Sequence, residues 1–579
     1  MKTAKIICIV ALLSAVMSCN DDFMERYPIS ALSPETFFSS EAELYAYTNG
    51  LFGNLGSIYS DDKLYGIWQG DDLVTMGVPA EAQGTRTVPT SGGGWDWAYL
   101  RSINFFLENS HKCSDVFVRA KYDGIARFHR AWFYFEKIDR FGDVPWYDQV
   151  IGQHDKEMLT KARDSRGYIF ERMLEDIDYA IANCGTERSA TSITRWTALA
   201  LKSRMCLFEG TFRKYHGRSG WEDILAECIS ASDEMIQNSG YQVYESAPDR
   251  AYLEMFLTEE PNDEFILAQM WSLALSQTHY VNLQFTGPSY SHPGMTRSLF
   301  NSYLNADGTR FTDMSGYGTR SFYESTQNRD LRLRQSIRTQ GYTYPGSATV
   351  RLVDFQCTTT AYQIAKYVTN ISTINGSNAF PYLRYAEVLL NYAEAKAELG
   401  DITQADIDRS IRPLRNRVNM PNLDMAAANA NPDPFLAAQY PGVTGDNKGI
   451  ILEIRRERRV ELFLENHRWR DIRRWKEGQL LTRYPRGAYF SGVGEHDLDG
   501  DGTPDLVIYS GAQPPTVAGR QYVNIADLNL TGGMSGGEIQ VNPQITRRWD
   551  EGKDYLYPIP IQELQLNPNL IQNPGWATE

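Results

Sequence analysis

Apolar residues recur at helical spacing through much of the first 240 residues of the chain. The segment 118–141 carries this pattern and is followed by Gly142 and Pro145, a combination that commonly ends a helix. Three further amphipathic helices are predicted, over 168–182, 196–212 and 221–236. Consecutive helices of this kind favour packed pairs of the tetratricopeptide type.

The pattern changes between about 241 and 378, where Gly, Ser, Thr, Tyr and Asn become frequent and helical periodicity fades. This composition predicts long loops with short strands, and long loops in compact proteins are usually functional. Helical patterns then return in three segments. The first covers 381–399, the second begins at the Thr403/Asp406 capping box and ends before Pro421, and the third covers 449–478. The sequence therefore predicts a mainly α-helical fold with long loops and a few short β-strands.

The first residues have the features of an export signal. Lys2 and Lys5 precede an apolar run over 6–17, which is shorter than the roughly 20 residues that span a bilayer. The run ends in Val-Met-Ser-Cys19, which resembles a bacterial lipobox. We predict that 1–18 is a cleaved signal peptide and that Cys19 is lipidated. The alternative is an ordinary signal peptide in which the cysteine occurs by chance.

Composition and charge narrow the function classes. The net charge of −15 lacks the basic footprint that nucleic-acid binding requires, and it argues against a charged face for anionic lipid headgroups. The 34 Tyr and 12 Trp suit a surface that stacks on flat ligands, and they also suit a helical core. Five cysteines follow Cys19 without a disulfide or zinc spacing, so buried thiols are predicted: Cys113, Cys184, Cys206, Cys228 and Cys357.

Four blocks of sequence, in order along the chain, resemble the signature blocks of the SusD/RagB family. They are 129–135 (HRAWFYF) with 141–146 (FGDVPW), 384–394 (RYAEVLLNYAE) with 413–417 (PLRNR), 457–475, and 558–560 (PIP) with 567–574 (NPNLIQNP). Together they extend over nearly the whole mature chain. The acidic Asn20-Asp-Asp that follows the lipobox also resembles the surface-export signal of Bacteroidetes lipoproteins.

The resemblance implies a SusD-like fold in which tetratricopeptide-type helix pairs form a scaffold. We expect an N-terminal helical region over 19–240 and a C-terminal RagB/SusD region over 241–579. It also implies a lipid-anchored protein at the surface of the outer membrane, whose partner is a SusC-like TonB-dependent transporter. Most relatives bind oligosaccharides and the RagB branch takes up peptides, so we expect a nutrient-binding protein, with no enzymatic activity and no required cofactor.

Sugar rings pack their C–H faces on aromatic side chains, and their hydroxyls need polar partners. Loops that combine both residue types are therefore candidate binding segments. The candidate ligand-binding residues are Trp68, Asp71, Asp72, Trp97, Trp271, Tyr280, Tyr290 and His292. For any single aromatic residue among them, packing in the protein interior is the alternative.

The segment 497–505 (DLDGDGTPD) matches the first part of a calcium-binding loop. Its spacing lets alternate oxygens converge on one hard cation, with candidate ligands Asp497, Asp499, Asp501, Thr503 and Asp505. The twelfth position, where an EF-hand has Glu, is Ile508, so the segment resembles the shorter loops of extracellular calcium proteins. The predicted role is a structural calcium ion, and the alternative is a solvated acidic turn.

Clustered carboxylates in the signature blocks raise the question of catalysis. Glu457, Glu461 and Glu465 each have an arginine within one helical turn, whereas a glycosidase acid needs a raised pKa. We therefore predict a structural ion-pair network. No nucleophile, zinc-protease or P-loop motif is present in the sequence. Glycan capture is the leading interpretation, with capture of peptides or other nutrients, glycoside hydrolysis and a ligand-free helical scaffold as alternatives.

Overall fold

The computed structural model describes residues 37–55, 70–370 and 375–576. The predicted signal peptide 1–18, the lipidation site Cys19 and the candidate ligand residue Trp68 lie outside the described residues. Predictions made for them therefore stay predictions.

Helices dominate the described chain. They are α1 (Glu41–Leu51), α2 (Ala80–Gln83), α3 (Ala98–Asn109), α4 (Val116–Phe141), α5 (Lys156–Leu159), α6 (Arg166–Asn183), α7 (Arg195–Tyr215), α8 (Trp221–Asn238), α9 (Ala251–Glu254), α10 (Val281–Thr286), α11 (Arg297–Ser302), α12 (Phe322–Thr326), α13 (Leu331–Ser336), α14 (Tyr385–Leu399), α15 (Gln404–Arg417), α16 (Met425–Ala430), α17 (Pro434–Ala437), α18 (Lys448–Glu461), α19 (Arg468–Arg474), α20 (Ile525–Leu528) and α21 (Ile561–Leu566). The predicted mainly α fold is confirmed.

The strands are short and form four small sheets. They are β1 (Leu73–Val74), β2 (Phe265–Gln269), β3 (Gly294–Met295), β4 (Phe380–Arg384), β5 (Arg486–Phe490), β6 (Gly494–His496), β7 (Leu506–Tyr509), β8 (Gln521–Asn524) and β9 (Gly537–Gln540). The pairs β1–β3, β2–β4, β5–β9 and β6–β7 are antiparallel, and β8 extends the last pair in parallel. These sheets link segments that are distant in sequence.

Local capping explains where several predicted helices begin and end. The Asp115 carboxylate accepts hydrogen bonds from the first backbone amides of α4, and the helix ends at Gly142, whose φ of +74° favours glycine. The predicted capping box at the start of α15 forms between Thr403 and Asp406. Consecutive helices then pack on one another, α4 on α6, α6 on α7, α7 on α8, and α8 on α14.

Two helix predictions need correction. The helix predicted from 381 begins at Tyr385, because 380–384 forms β4 and pairs with β2. The helix predicted over 449–478 is broken between α18 and α19, where Leu464 and Asn466 adopt positive φ values of 64° and 63°. The break places Glu465 in a loop and not on the same helix as Arg468.

The buried apolar residues form two groups. One joins α3, α4, α6, α7 and α8 with α14 to α19, and the other lies beneath the loop-rich segments 252–380 and 488–541. Helix α18 contributes to both, through Ile454 to the first and Val460 to the second. The region boundary at 240/241 stays a prediction. The five described cysteines are buried thiols, as predicted.

Candidate functional site

A cleft of about 650 Å³ lies between the start of α3, the segment that leads into α5, and α21. Its walls come from three distant parts of the chain, 95–104, 145–160 and 563–570. We call it the Trp97 cleft. Its volume is in the range of small-molecule sites, and its lining combines aromatic, aliphatic and polar side chains.

Trp97 occupies the residue before α3 and is half-buried. Its ring packs at a steep angle on those of Trp95 and Tyr147, with centroid distances of 5.4 and 5.5 Å, and on Phe133 at 5.6 Å. These contacts hold the indole in one orientation at the edge of the cleft. An aromatic surface fixed in this way loses little conformational entropy when a flat ligand binds.

Hydrogen bonds hold the polar wall opposite α3. Asn104 Nδ2 donates to the carbonyl oxygens of Tyr147 and Gln149, each at 3.1 Å. Arg101 Nη1 donates to the carbonyl oxygen of Ile151 at 2.8 Å. The segment 147–151 is therefore attached to α3, and Trp97, Arg101 and Asn104 line the cleft from the same helix end.

The opposite rim comes from the C-terminal part of the chain. Glu563 is half-buried there, and burial raises the pKa of its carboxyl group. Asn567 Nδ2 donates to the carbonyl oxygen of Lys161 at 2.9 Å, which attaches α21 to the segment after α5. Leu159 and Leu566 flank the opening with exposed fractions of 47% and 76%. The rim thus offers both polar and apolar contacts.

Asp71 and Asp72, two of the candidate ligand residues, form buried ion pairs, and ligand contact at them stays a prediction. Asp71 accepts from Arg468 at 2.6 Å and from Arg459 at 3.0 Å, and Asp72 accepts from Arg459 at 2.6 Å. Burial opposes ionisation of Asp71, but the two guanidinium groups outweigh it and hold its pKa well below the ordinary value. For Asp72 burial dominates and raises the pKa. These carboxylates neutralise buried arginines.

The remaining aromatic candidates lie away from the Trp97 cleft. Trp271 is half-buried beside His279, with ring centroids 5.4 Å apart, and Tyr280 in the same segment is 38% exposed. The β1–β3 pair brings the segment after Asp72 alongside that of Tyr290 and His292. None of these residues lines the Trp97 cleft. Ligand contact at Trp271, Tyr280, Tyr290 and His292 stays a prediction.

Three members of the predicted calcium loop converge. Asp497, Asp499 and Asp501 each place one carboxylate oxygen within 4.8 Å of the others. Asp497 also accepts hydrogen bonds from the amides of Gly500 and Gly502, at 2.6 and 2.8 Å. Three carboxylates can supply much of the oxygen shell of Ca²⁺, so the residues fit the ion.

One carboxylate of the predicted calcium set, that of Asp505, stands apart from the converging group. Asp505 instead accepts from the Leu498 amide at 2.9 Å. Burial raises the pKa of the Asp505 carboxyl, and repulsion from the other three carboxylates adds to this effect. Calcium binding stays a prediction.

The carboxylates of the signature blocks form a buried ion-pair network, as predicted. Its members are Glu264, Asp330, Arg332, Lys366, Arg384, Arg415, Arg417, Glu457, Glu461 and Glu465. Glu461 alone accepts from Arg384 at 2.8 Å, from Arg417 at 2.5 Å and from Arg332 at 3.0 Å. Burial opposes its ionisation, but these arginines hold its pKa far below the ordinary value, the opposite of what a general acid needs.

Sequence reasoning missed most of the residues that line the Trp97 cleft. Arg101 follows Trp97 by four positions, and this helical spacing on one face was a usable signal. Tyr147, Lys156 and Glu563 come from distant segments that carry no local sign of meeting there.

Among the described residues, no helix has both the length and the apolar character needed to cross a bilayer.

Comparison with known proteins identifies the family. The model of the SusD family matches residues 264–576, and a model described as starch-binding associating with outer membrane matches 82–197. The chain belongs to the SusD/RagB family. Among curated SusD-like proteins, it is 22% identical to SusD-like protein P2 of Formosa agariphila over 100% of both chains. It is 24% identical to a SusD-like protein of Bacteroides ovatus, over 98% of this chain and 97% of the relative.

Solved structures of SusD-like proteins share the fold. One from Bacteroides fragilis superposes with a TM-score of 0.69 at 20% identity, over 95% of this chain and 100% of the other. A SusD-like carbohydrate binding protein from the same organism gives a TM-score of 0.70 at 20% identity, over 93% and 100%. At this level of identity the likeness establishes the SusD fold, while the ligand must be argued from the residues of this chain.

Proposed function

We propose that this SusD/RagB protein captures an oligo- or polysaccharide in the Trp97 cleft and delivers it to a SusC-like TonB-dependent transporter. The observation that supports this most directly is the fixed indole of Trp97 at the edge of a cleft of about 650 Å³ with polar walls. Such a site meets both needs of a sugar ring, an aromatic surface for its C–H face and polar groups for its hydroxyls.

The proposed mechanism is binding without bond cleavage. A saccharide ring would stack on Trp97, while Arg101, Gln149 and Glu563 would fix its orientation through hydroxyl hydrogen bonds. Within the buried network, arginines hold the pKa of Glu457 and of Glu461 below the ordinary value despite burial, so these two carboxylates are poor general acids. These lowered pKa values favour a binding protein over a glycoside hydrolase.

The proposal also includes a location and a partner. Family membership and the lipobox-like 16–19 support a protein anchored through Cys19 at the outer surface of the outer membrane. We expect the wild-type protein to co-purify with a transporter of the SusC type from detergent-extracted outer membranes. Cys19→Ala should shift the protein to the soluble fraction, and retention of this variant in the membrane would contradict the anchor.

Affinity gel electrophoresis against a panel of polysaccharides tests ligand capture. We expect retardation of the purified, unlipidated protein by at least one glycan, and a loss of affinity of about tenfold or more in Trp97→Ala, since aromatic contacts contribute on the order of 1–3 kcal/mol. Trp221→Ala, a half-buried tryptophan at the start of α8, is the matched control. Retardation lost in Trp271→Ala but kept in Trp97→Ala would move the site to the 271–292 segment.

One observation favours a second candidate ligand. The exposed side chains of Leu159 and Leu566 at the rim would suit the apolar side chains of a peptide, the ligand class of the RagB branch. Isothermal titration calorimetry with mixed peptides and with glycans separates the two candidates. Heat from peptides alone, lost in Leu566→Ser, would replace the glycan by a peptide.

A further inference from the structure

A second cleft adjoins the Trp97 cleft across the C-terminal segment. It has a volume of about 400 Å³ and is lined by Asp143, Arg163, Arg166, Phe212, Arg218 and the segment 569–574, among others. We call it the arginine cleft. Asn569 lines it and donates through Nδ2 to the carbonyl oxygen of Thr160, which lines the Trp97 cleft, at 2.7 Å. The two clefts therefore share one wall.

The charged side chains that line the Trp97 cleft and the arginine cleft are mostly basic. The Trp97 cleft has Arg101 and Lys156 against Glu563, and the arginine cleft has three arginines against Asp143. The chain as a whole carries a net charge of −15. Because ions at physiological strength screen charges beyond about 8 Å, the local excess of positive charge governs what binds there.

Four of the basic side chains that line the two clefts have no carboxylate partner, unlike most arginines of the protein. Within the described residues, no carboxylate oxygen lies within 4 Å of the charged groups of Arg101, Lys156, Arg163 or Arg218. Arg163 donates only to neutral oxygens: the main-chain oxygens of Asp143 and Ile571 and the side-chain oxygen of Asn573, at 2.5 to 2.7 Å, and the main-chain oxygen of Phe141 at 3.3 Å. The positive charge of these four side chains is thus not neutralised by direct contact with a carboxylate.

Arg166 adds a buried donor to the arginine cleft. Its Nε donates to Glu209 at 2.7 Å and its Nη1 to the carbonyl oxygen of Ile138 at 2.7 Å. Its Nη2 has no hydrogen-bond partner in the described chain, although the residue is 98% buried. A buried donor without an acceptor is costly unless another group satisfies it.

We infer that the ligand is an acidic saccharide, whose carboxylate or sulfate groups bind the unpaired cations of the Trp97 cleft and the arginine cleft. This inference rests on the proposed glycan-binding function and specifies its ligand class. A ring stacked on Trp97 places its substituents beside Arg101 and Lys156, and a chain that continues over the shared wall reaches Arg163 and Arg218. Guanidinium groups suit this task because their planar donors match carboxylate and sulfate oxygens.

The test uses acidic polysaccharides paired with neutral derivatives of the same backbone. Polygalacturonate, alginate, chondroitin sulfate and dextran sulfate are compared with their carboxyl-reduced or desulfated forms by isothermal titration calorimetry on the unlipidated protein. We expect binding of at least one acidic polymer and at least tenfold weaker binding of its neutral form. Because exposed ion pairs contribute little individually, Arg101→Gln and Arg218→Gln should each weaken binding about two- to fivefold. Glu563→Gln should strengthen it.

Arg334→Gln provides the control, since Arg334 is an exposed arginine of α13 outside both clefts. Equal binding of an acidic polymer and its neutral form, or binding of neutral glycans alone, would overturn the acidic class and leave glycan capture intact. Competition by inorganic sulfate as strong as by an acidic oligosaccharide would reduce the clefts to sites for simple anions. No binding of any polysaccharide would overturn both proposals.

Discussion

Arg384 and Arg101 carry the same charge in opposite surroundings. Arg384 lies in the buried ion-pair network, where it bonds Glu264, Glu461 and Glu465. Arg101 is exposed in the Trp97 cleft and bonds only a carbonyl oxygen. A buried charge costs several kcal/mol unless it is paired, whereas an exposed charge keeps its hydration. Buried, paired charges such as Arg384 therefore hold the fold together, whereas exposed charges such as Arg101 remain available to a ligand.

Replacing each of these two arginines by glutamine tests their different roles. The loss of folding stability at Arg384 is the largest effect that we expect. Arg384→Gln leaves three buried carboxylates without their shared partner and should lower the free energy of unfolding by about 3–5 kcal/mol. Arg101→Gln should change it by less than about 0.5 kcal/mol. Urea unfolding followed by circular dichroism measures both. Equal effects of the two substitutions would contradict the assigned roles.

Acid should weaken the buried ion pair between Glu394 and Arg474. Burial opposes ionisation of Glu394, but the Arg474 guanidinium, its hydrogen bonds and the nearby Arg458 and Arg455 lower the pKa to about 2. A lowered pKa stabilises the fold above the unfolded-state value of 4.5, and this contribution is lost as pH falls from about 5 towards 2. The shift corresponds to about 3 kcal/mol.

Urea titrations at a series of pH values measure that loss. The stability difference between the wild type and Glu394→Gln should shrink as pH falls through this range. Glu495→Gln, which removes an exposed carboxylate paired with Arg520, is the matched control and should show little pH dependence. A difference that stays constant down to pH 2 would show that Glu394 is not held ionised by Arg474.

The acidic loop 497–505 resembles the Trp97 cleft in carrying charges without an ion-pair partner, but its charges are negative. Asp497, Asp499 and Asp501 have no arginine or lysine within 4 Å in the described part of the chain. If they bind Ca²⁺, an ion at ten times its dissociation constant should stabilise the fold by about 1.4 kcal/mol, and should raise the melting temperature by about 1–2 °C. Asp499→Asn should remove this shift, while Asp527→Asn, at an exposed position outside the loop, should keep it. An equal shift with Mg²⁺ or with Asp499→Asn would contradict a dedicated calcium site.

The fold was largely predictable because its signals are local. The 118–141 pattern with its glycine stop and the Thr403/Asp406 capping box each involve neighbours in sequence, and both structures formed. Predictions failed where a distant segment decides the conformation. The residues 380–384 continue the helical pattern of α14 in sequence, but pairing with β2, more than 110 residues earlier, makes them a strand.

The candidate site was less predictable for the same reason. An Asp beside aromatic residues has the composition of a sugar site, and nothing near Asp71 in sequence shows that Arg459 and Arg468 will bind it. Trp97 was identified because it follows Gly92-Gly-Gly in a predicted loop that combines aromatic residues with an Asp. Its cleft partners Tyr147, Lys156 and Glu563 meet only through tertiary packing, so their shared role could not be derived from spacing.

The last described residues complete a wall of the first helical region. The Asn573 side chain donates to the carbonyl oxygens of Phe141 and Tyr557, and Arg163 binds the main chain at Ile571. Both clefts therefore need a segment that is distant in sequence from the walls it completes. A polypeptide cut near 560 would retain most of its buried core and yet lack one wall of each cleft. Limited proteolysis after 560 would thus remove both clefts while sparing most of the fold.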